Sequence, residues 1–399
     1  MKPSEKAIAL AKSSSAVKMN LAIVGAGIMG RLVALSLNRQ GHQVTLFDKD
    51  DKNGHQSAAY AAAGLLTPLG EAMHSEANIV EMGFESLALW PKILNSLDGY
   101  TFFQQEGTLV LSHEQDQGDY QRFSRFIKNH YPQHALQNLN RQQLEQLEPE
   151  IGRSFKQALY LPDEGQVGNR KLLIALRDQL SKEGVNWVSE CNVEAITSSS
   201  TSATVITQAE TLTFDLVIDC RGIGASSKNT KAVDKGQLPN LRAVRGELFQ
   251  LFAPNVNIFR PIRLMHPRYQ LYIAPKGKGH YVVGATEIES DDTSPMTVRS
   301  AMELLSAAYS VHPGFAEANI RQHVCQLRPA FSDNQPKITQ QDCLIQVNGL
   351  YRHGFLIAPA LLAKVERQVE RFVQSSFIEK SALATSTVTS AFQKESIAL

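Results

Sequence analysis

Six residues constrain this chain more than any others. Gly25-Ala26-Gly27-Ile28-Met29-Gly30 fits G-x-G-x-x-G and follows a short apolar run, Leu21-Ala22-Ile23-Val24. Such a run suits a strand buried on both faces of a parallel sheet. After it, apolar residues at Ile28, Leu32, Leu35 and Leu37 have near-helical spacing and stop at Gly41. Val44 to Asp48 reads as a second strand, so the chain opens as a βαβ unit with a parallel sheet and a right-handed crossover. In such a unit Gly25 permits the tight turn and Gly27 lets the backbone approach a pyrophosphate. Gly30 lets helix and strand pack closely, and the helix start, with Ile28 and Met29, directs N–H donors at phosphates. Asp48 stands eighteen residues past Gly30, where a carboxylate accepts from ribose hydroxyls. The pattern selects a dinucleotide but not between FAD and NAD, which both place an adenosine diphosphate there.

Composition narrows the classes. A chain of 399 residues suggests two domains. With 40 basic and 39 acidic residues it has no electrostatic reason to seek nucleic acid or an anionic membrane. A hydrophobic content of 43% excludes a disordered chain. The longest stretch without acid or base, Asn53 to Gly70, is broken by polar residues and Pro68, so no integral membrane segment is expected. Cys191, Cys220, Cys325 and Cys343 are scattered without C-x-x-C, which argues against zinc ribbons, redox pairs and a disulfide scaffold and makes a reducing cytoplasm the expectation. Pro132 breaks the spacing that His130 and His134 would need on a metal-binding helix, and no metal site is expected. Met1 to Lys18 reads as a flexible leader and Ser375 to Leu399 as a weakly structured tail. Phe214 to Asp219 reads as a buried strand, Lys171 to Glu183 as an amphipathic helix, and Asn229 to Asn240 as a loop between domains.

Further blocks stand in series. They are Ser57 to Pro68, Glu106-Gly107-Thr108-Leu109, Asp163 to Val167 with Arg170 and Leu172-Leu173, Val244-Arg245-Gly246-Glu247, and Val283-Gly284-Ala285-Thr286. Leu327-Arg328-Pro329 with Asp333 and Pro336, then Tyr351 to Pro359, complete the set. In this order, over roughly residues 20 to 370, the chain resembles the D-amino acid oxidase superfamily of flavoproteins, most closely its thiamine-pathway glycine oxidases.

The resemblance implies an α/β fold, with a Rossmann-like FAD-binding domain on a parallel sheet and an antiparallel-sheet substrate domain. Residues 19–95, 151–230 and 322–375 would form the first, 96–150 and 231–321 the second, with 1–18 a leader and 376–399 a tail. FAD is expected to be non-covalent, although Cys325, three residues before Arg328, stands where a tether is conceivable. Ala62, Ala63, Gly64 and Leu65 would pass under pyrophosphate and flavin, Gly222 would join the cofactor site, and Val193 would offer adenine a backbone contact. His353, Gly354, Phe355, Leu356 and Ile357 would frame the flavin's far end, where a helix start aims its dipole at charge formed on reduction. Arg328 would grip the substrate carboxylate with its planar fork, assisted by Tyr272, and Arg352 would add a second positive charge. The bland alternatives are a surface Arg in an X-Pro turn, a core Tyr, a helix-entry Arg and, for Val193, a plain strand residue.

The implied activity is oxidation of a small amino acid, glycine first, by oxygen to the imine and glyoxylate, with ammonia and hydrogen peroxide, serving thiazole synthesis for thiamine. The alternatives are a D-amino acid or sarcosine oxidase or dehydrogenase, an NAD-dependent dehydrogenase and a catalytically inactive flavin-binding protein. A homo-oligomer is expected. The departures from the family pattern are Leu350 for His, His353 for Asn, Cys220-Arg221-Gly222 where a small Ala/Gly pair is usual, and Gln270 for His.

Overall fold

The computed structural model describes residues 18–228, 234–266 and 271–395, with 379–395 as backbone only. The leader expected over 1–18 and the Gln270 departure lie outside these residues, Lys18 excepted.

The βαβ opening forms as its sequence dictates: strand Asn20–Val24, helix Ile28–Arg39, strand Gln43–Phe47. The two strands are parallel neighbours at the centre of a six-stranded sheet. Leu216–Asp219 and then Leu344–Asn348 extend it in parallel on one side, and Asn186–Val188 on the other. Lys337–Gln341 closes one edge as a hairpin partner. Leu21, Ala22 and Ile23 are wholly buried because helices cover one face of the sheet and the three-stranded antiparallel sheet of Val193–Ser198, Ala203–Thr207 and Thr211–Phe214 covers the other, which is why the strand reads as an unbroken apolar run.

A second sheet of nine strands is antiparallel apart from the pair Thr108–Ser112 and Ile262–Met265. Its backbone is the long pair Arg242–Phe252 and Asn319–Ala330, flanked by His280–Gly284 and Leu271–Pro275. Helix Val298–Val311 covers one face and buries Leu304, Ala307, Ala308 and Val311. Three short strands, Leu65–Leu66, Phe103–Gln104 and Gly165–Val167, link the two layers. This is the α/β plus antiparallel architecture expected from the sequence.

One reading needs correction. Phe214 to Asp219 is not one strand. Thr211–Phe214 pairs antiparallel with Ala203–Thr207, whereas Leu216–Asp219 enters the parallel sheet. Asp215 makes the corner, its carboxylate accepting the Asn20 N–H at 2.8 Å. An apolar run cannot signal a change of sheet, since both halves are buried. The helix that begins at Gly354 runs to Glu395, into the tail read from sequence as weakly structured. It is anchored where its first turns are wholly apolar, through Ile357, Ala358 and Leu361 in the core and a 3.1 Å bond from Trp90 Nε1 to the Phe355 carbonyl. No described helix is long and apolar enough to cross a membrane.

Candidate active site

The glycine turn is shaped for a backbone-only approach. Gly25 has φ +99°, and an added Cβ would lie 2.6 Å from the Cys220 carbonyl oxygen. Gly30 is closer packed still, because its Cβ would fall 1.8 Å from the Gly25 oxygen. Gly27, in contrast, faces open space, with nothing within 4 Å of an added Cβ. The Asp48 carboxylate accepts from the Ala26 N–H, and from the Asp50 N–H at 2.7 Å, so it ties the turn as well as facing the cavity. Burial raises its pKa, and those backbone bonds work against the rise. Sequence reasoning missed a brace beneath the turn. Arg31, fully buried, donates to the carbonyls of Ala26 at 2.8 Å, Leu173 at 2.6 Å and Lys52 at 3.1 Å. Desolvation lowers its pKa to about 10.

From this turn a cavity of about 1230 Å³ runs between the layers. Gly25, Gly27, Ile28, Met29 and Asp48 line one end, with Val193 beside them. Ala62, Ala63, Gly64, Leu65 and Gly222 line its middle, and His353, Gly354, Phe355 and Leu356 with Tyr272, Arg328 and Arg352 its other part. Two candidates do not line it. Gly30 acts through packing, and Ile357 points into the core with no exposed surface. On a helix the residue after three cavity-facing ones turns away from the cavity.

Five arginines line the cavity, and their partners separate them. Arg221 is clamped by Asp219 at 2.8 Å and Asp234 at 3.0 Å. Arg242 pairs with Glu289, and Arg263 lies 3.2 Å from Glu71. Arg352 meets Glu71 at 2.9 Å and Glu287 at 2.7 Å. Arg328 alone has no carboxylate partner among the described residues; its Nη1 donates to the Thr286 carbonyl at 3.0 Å. It projects across Gly246, where an added Cβ would fall 2.4 Å from its guanidinium carbon. The Tyr272 hydroxyl lies against Gly284 in the same wall. Burial pushes its pKa up to about 12 while the Arg328 charge pulls it down, so it remains a protonated donor.

The other predicted cation, Arg352, is differently placed from expectation. Its charge is already met by two carboxylates, so it offers no free second positive charge. The Arg221 departure is also a local fastening rather than a substrate contact, since Asp234 in turn accepts the Ile196 N–H at 2.9 Å and the Gly236 N–H at 2.8 Å. Glu71, Arg263 and Glu287 were not singled out from the sequence, and Glu164 and Tyr351 entered only as members of their blocks. Lone charged residues on loops and strand ends carry no motif, and only the tertiary structure gathers them. Glu71 is held ionised, well below the usual carboxylate range, because Arg352, His353 and Arg263 outweigh its desolvation.

Glu164 behaves oppositely. It is wholly buried, accepts from the Gly70 N–H at 2.8 Å and from the Thr108 hydroxyl, and burial raises its pKa to about 7 from 4.5. A raised carboxyl pKa favours the folded state fully below 4.5, and that contribution is lost as pH climbs through about 7. We expect the neutral isostere Glu164→Gln to gain on wild type by about 1.4 kcal/mol per pH unit across that window. Denaturant midpoints of both proteins at a series of pH values check this, and a constant difference would refute it.

The cavity suits FAD on its own evidence. It is long enough to reach from the glycine turn to Arg328, and the Gly27 and Gly354 positions open onto free space. His353 Nδ1 is buried without a hydrogen-bond partner among the described residues, as a group waiting for a ligand would be. Residues 20–365 match the DAO family, described as FAD dependent oxidoreductase. This chain belongs to that family.

DAO membership settles the cofactor as FAD and leaves NAD aside. A Rhizobium etli protein assigned as a thiamine biosynthesis oxidoreductase, ThiO, is 35% identical over 355 residues, 88% of this chain and 96% of that one. Glycine oxidase of Geobacillus kaustophilus is 24% identical over 364 residues, 89% of this chain and 93% of its own. A crystal structure of the Geobacillus kaustophilus glycine oxidase superposes with TM-score 0.76 at 25% identity, covering 89% of this chain and 95% of that one. Iminodiacetate oxidase from Chelativorans sp. BNC1 shares the fold with TM-score 0.73 at 22% identity, over 86% and 93% of the two chains.

Proposed function

We propose that this protein oxidises the amine of a small α-amino acid, glycine foremost, with oxygen as acceptor, in the thiazole branch of thiamine synthesis. One observation carries the reading: among the described residues Arg328 is the only cavity-lining arginine without a carboxylate, and it stands beside the protonated Tyr272 hydroxyl. A planar guanidinium with free donors and a phenol donor form a carboxylate clamp. The relatives named thiamine biosynthesis oxidoreductase and glycine oxidase support the same substrate class.

FAD, when bound, supplies the two-electron acceptor. The chain's residues do the rest. Arg328 and Tyr272 fix the carboxylate, so that the α-carbon is presented in one orientation. Gly27, Ile28 and Met29 would direct helix-start N–H groups at the cofactor's phosphates, and Gly354 opens the long helix that would serve its other end. Glu71 and Glu287 are ion-paired and burial lowers the His353 pKa, so orientation rather than a dedicated base is the protein's contribution. The net reaction takes glycine, oxygen and water to glyoxylate, ammonia and hydrogen peroxide through the imine.

In this reading 19–95, 151–230 and 322–375 make the FAD domain and 96–150 and 231–321 the substrate domain, with Gln157–Leu161 and Asn319–Ala330 crossing into the antiparallel sheet. A cytoplasmic, homo-oligomeric enzyme is part of the proposal. The test is an anaerobic titration of purified protein with glycine, sarcosine and D-alanine. Bleaching of the yellow colour is expected, fastest with glycine, whereas no bleaching with any of them refutes an amino-acid oxidase. Acid precipitation should release the colour into the supernatant. Colour retained in the pellet would point to Cys325, which lines the cavity and whose thiol burial pushes up, away from the reactive thiolate.

A further inference from the structure

Each nitrogen of Arg352 already has a partner. Its Nε meets Glu71 at 2.9 Å, its Nη1 meets Glu287 at 2.7 Å, and its Nη2 donates to the His74 carbonyl at 3.2 Å. Glu71 is shared with Arg263, whose Nη1 stands 3.2 Å from the other carboxylate oxygen. Two guanidinium charges thus face two carboxylates and cancel. Glu164, within the field of Arg263, adds a further negative charge when ionised.

The two carboxylates differ in position. The Glu71 side chain is 18% exposed and the Glu287 side chain 49%, so Glu287 is the outer one, at the rim of the cavity. It directly follows Thr286, whose carbonyl holds Arg328. The Arg328 charge reaches Glu287, so a carboxylate clamped on Arg328 lies in the neighbourhood of Glu287 and of the guarded face of Arg352.

On the reading that Arg328 anchors a substrate carboxylate, we propose that Glu287 is a specificity residue restricting the enzyme to amines with a single carboxylate. Glu287 fills the guanidinium edge that a second carboxylate would take, and its own charge repels that carboxylate. Glycine and sarcosine meet neither obstacle. Iminodiacetate and D-aspartate meet both. Specificity of this kind rests on a repulsive element rather than on an added attraction to the preferred substrate.

The experiment uses the full-length, FAD-loaded protein and two ether analogues that cannot be oxidised as amines: methoxyacetate, with one carboxylate, and oxydiacetate, with two. Dissociation constants are read from perturbation of the flavin absorbance and confirmed by thermal shift. Wild type is expected to bind methoxyacetate at least about tenfold more tightly. Glu287→Gln, which keeps the side-chain volume and removes the charge, should shift the ratio of constants about tenfold or more toward oxydiacetate. Glu287→Asp should keep the wild-type preference.

Turnover of iminodiacetate relative to glycine should rise in parallel in Glu287→Gln. Equal or tighter binding of oxydiacetate by wild type overturns the proposal, whether or not any variant folds. An unchanged ratio in folded Glu287→Gln overturns it as well while leaving the Arg328 anchor standing. If wild type binds neither analogue and bleaches with no amino acid, the anchor itself fails and the restriction falls with it.

Discussion

Replacing Arg328 with alanine should lower kcat/KM for glycine by at least about tenfold to a hundredfold with FAD content unchanged. Hydrogen bonds to a charged group are worth about 1.5–3 kcal/mol, which sets that range. The geometry sharpens the expectation. Because Arg328 is, among the described residues, the cavity-lining arginine without an ion-paired carboxylate, its charge reaching Glu287 only at a distance, removing it takes away the guanidinium left open to a substrate. The protein loses only a bond to the Thr286 carbonyl, so folding should suffer little. Arg328→Lys keeps the charge without the planar fork and should fall between wild type and alanine. Amines without a carboxylate should be nearly indifferent to either change. Steady-state kinetics on glycine and a simple amine, alongside the flavin-to-protein absorbance ratio, decide the matter. Normal turnover of glycine by Arg328→Ala, or loss of FAD before loss of activity, would make Arg328 structural.

The second large effect concerns stability. Arg221→Ala should destabilise the protein by about 3–5 kcal/mol, because it leaves two buried carboxylates without their cation. Asp219 and Asp234 are essentially solvent-free, at 1% and 0% side-chain exposure, and Arg221 itself is at 9%. The triad joins the end of a central strand to the segment around Asp234, which also caps the Ile196 and Gly236 amides. Its loss should therefore loosen both that segment and the neighbouring Gly222, where the cofactor cavity passes. A lowered denaturant midpoint with easier FAD release is the expected pair of readouts. Conversely, the double change of Asp219 and Asp234 to asparagine in the Arg221→Ala background should recover part of the loss, since no buried charge then remains. Stability equal to wild type in Arg221→Ala would show that water reaches the site.

The local chemistry of the chain is enough to place the cofactor cradle. A G-x-G-x-x-G turn between an apolar strand and an amphipathic helix has few structural solutions, and Gly25, Gly27 and Gly30 each do what their missing Cβ allows. The Arg328-Pro329 segment and the Gly354 helix start were legible too, because each belongs to a block with an internal pattern. What no local pattern carries is pairing across the molecule. Arg352 reads as a free cation until Glu71 and Glu287, far from it in sequence, arrive beside it. Arg221 reads as an oddity until Asp234 meets it. The strand over Phe214 to Asp219 reads as one piece because burial hides the corner at Asp215. Charge compensation and sheet membership depend on distance in space, and so the sequence alone determined the glycine turn and its βαβ setting, while the tertiary structure decided which cavity arginine, among the described residues, is left without a carboxylate partner.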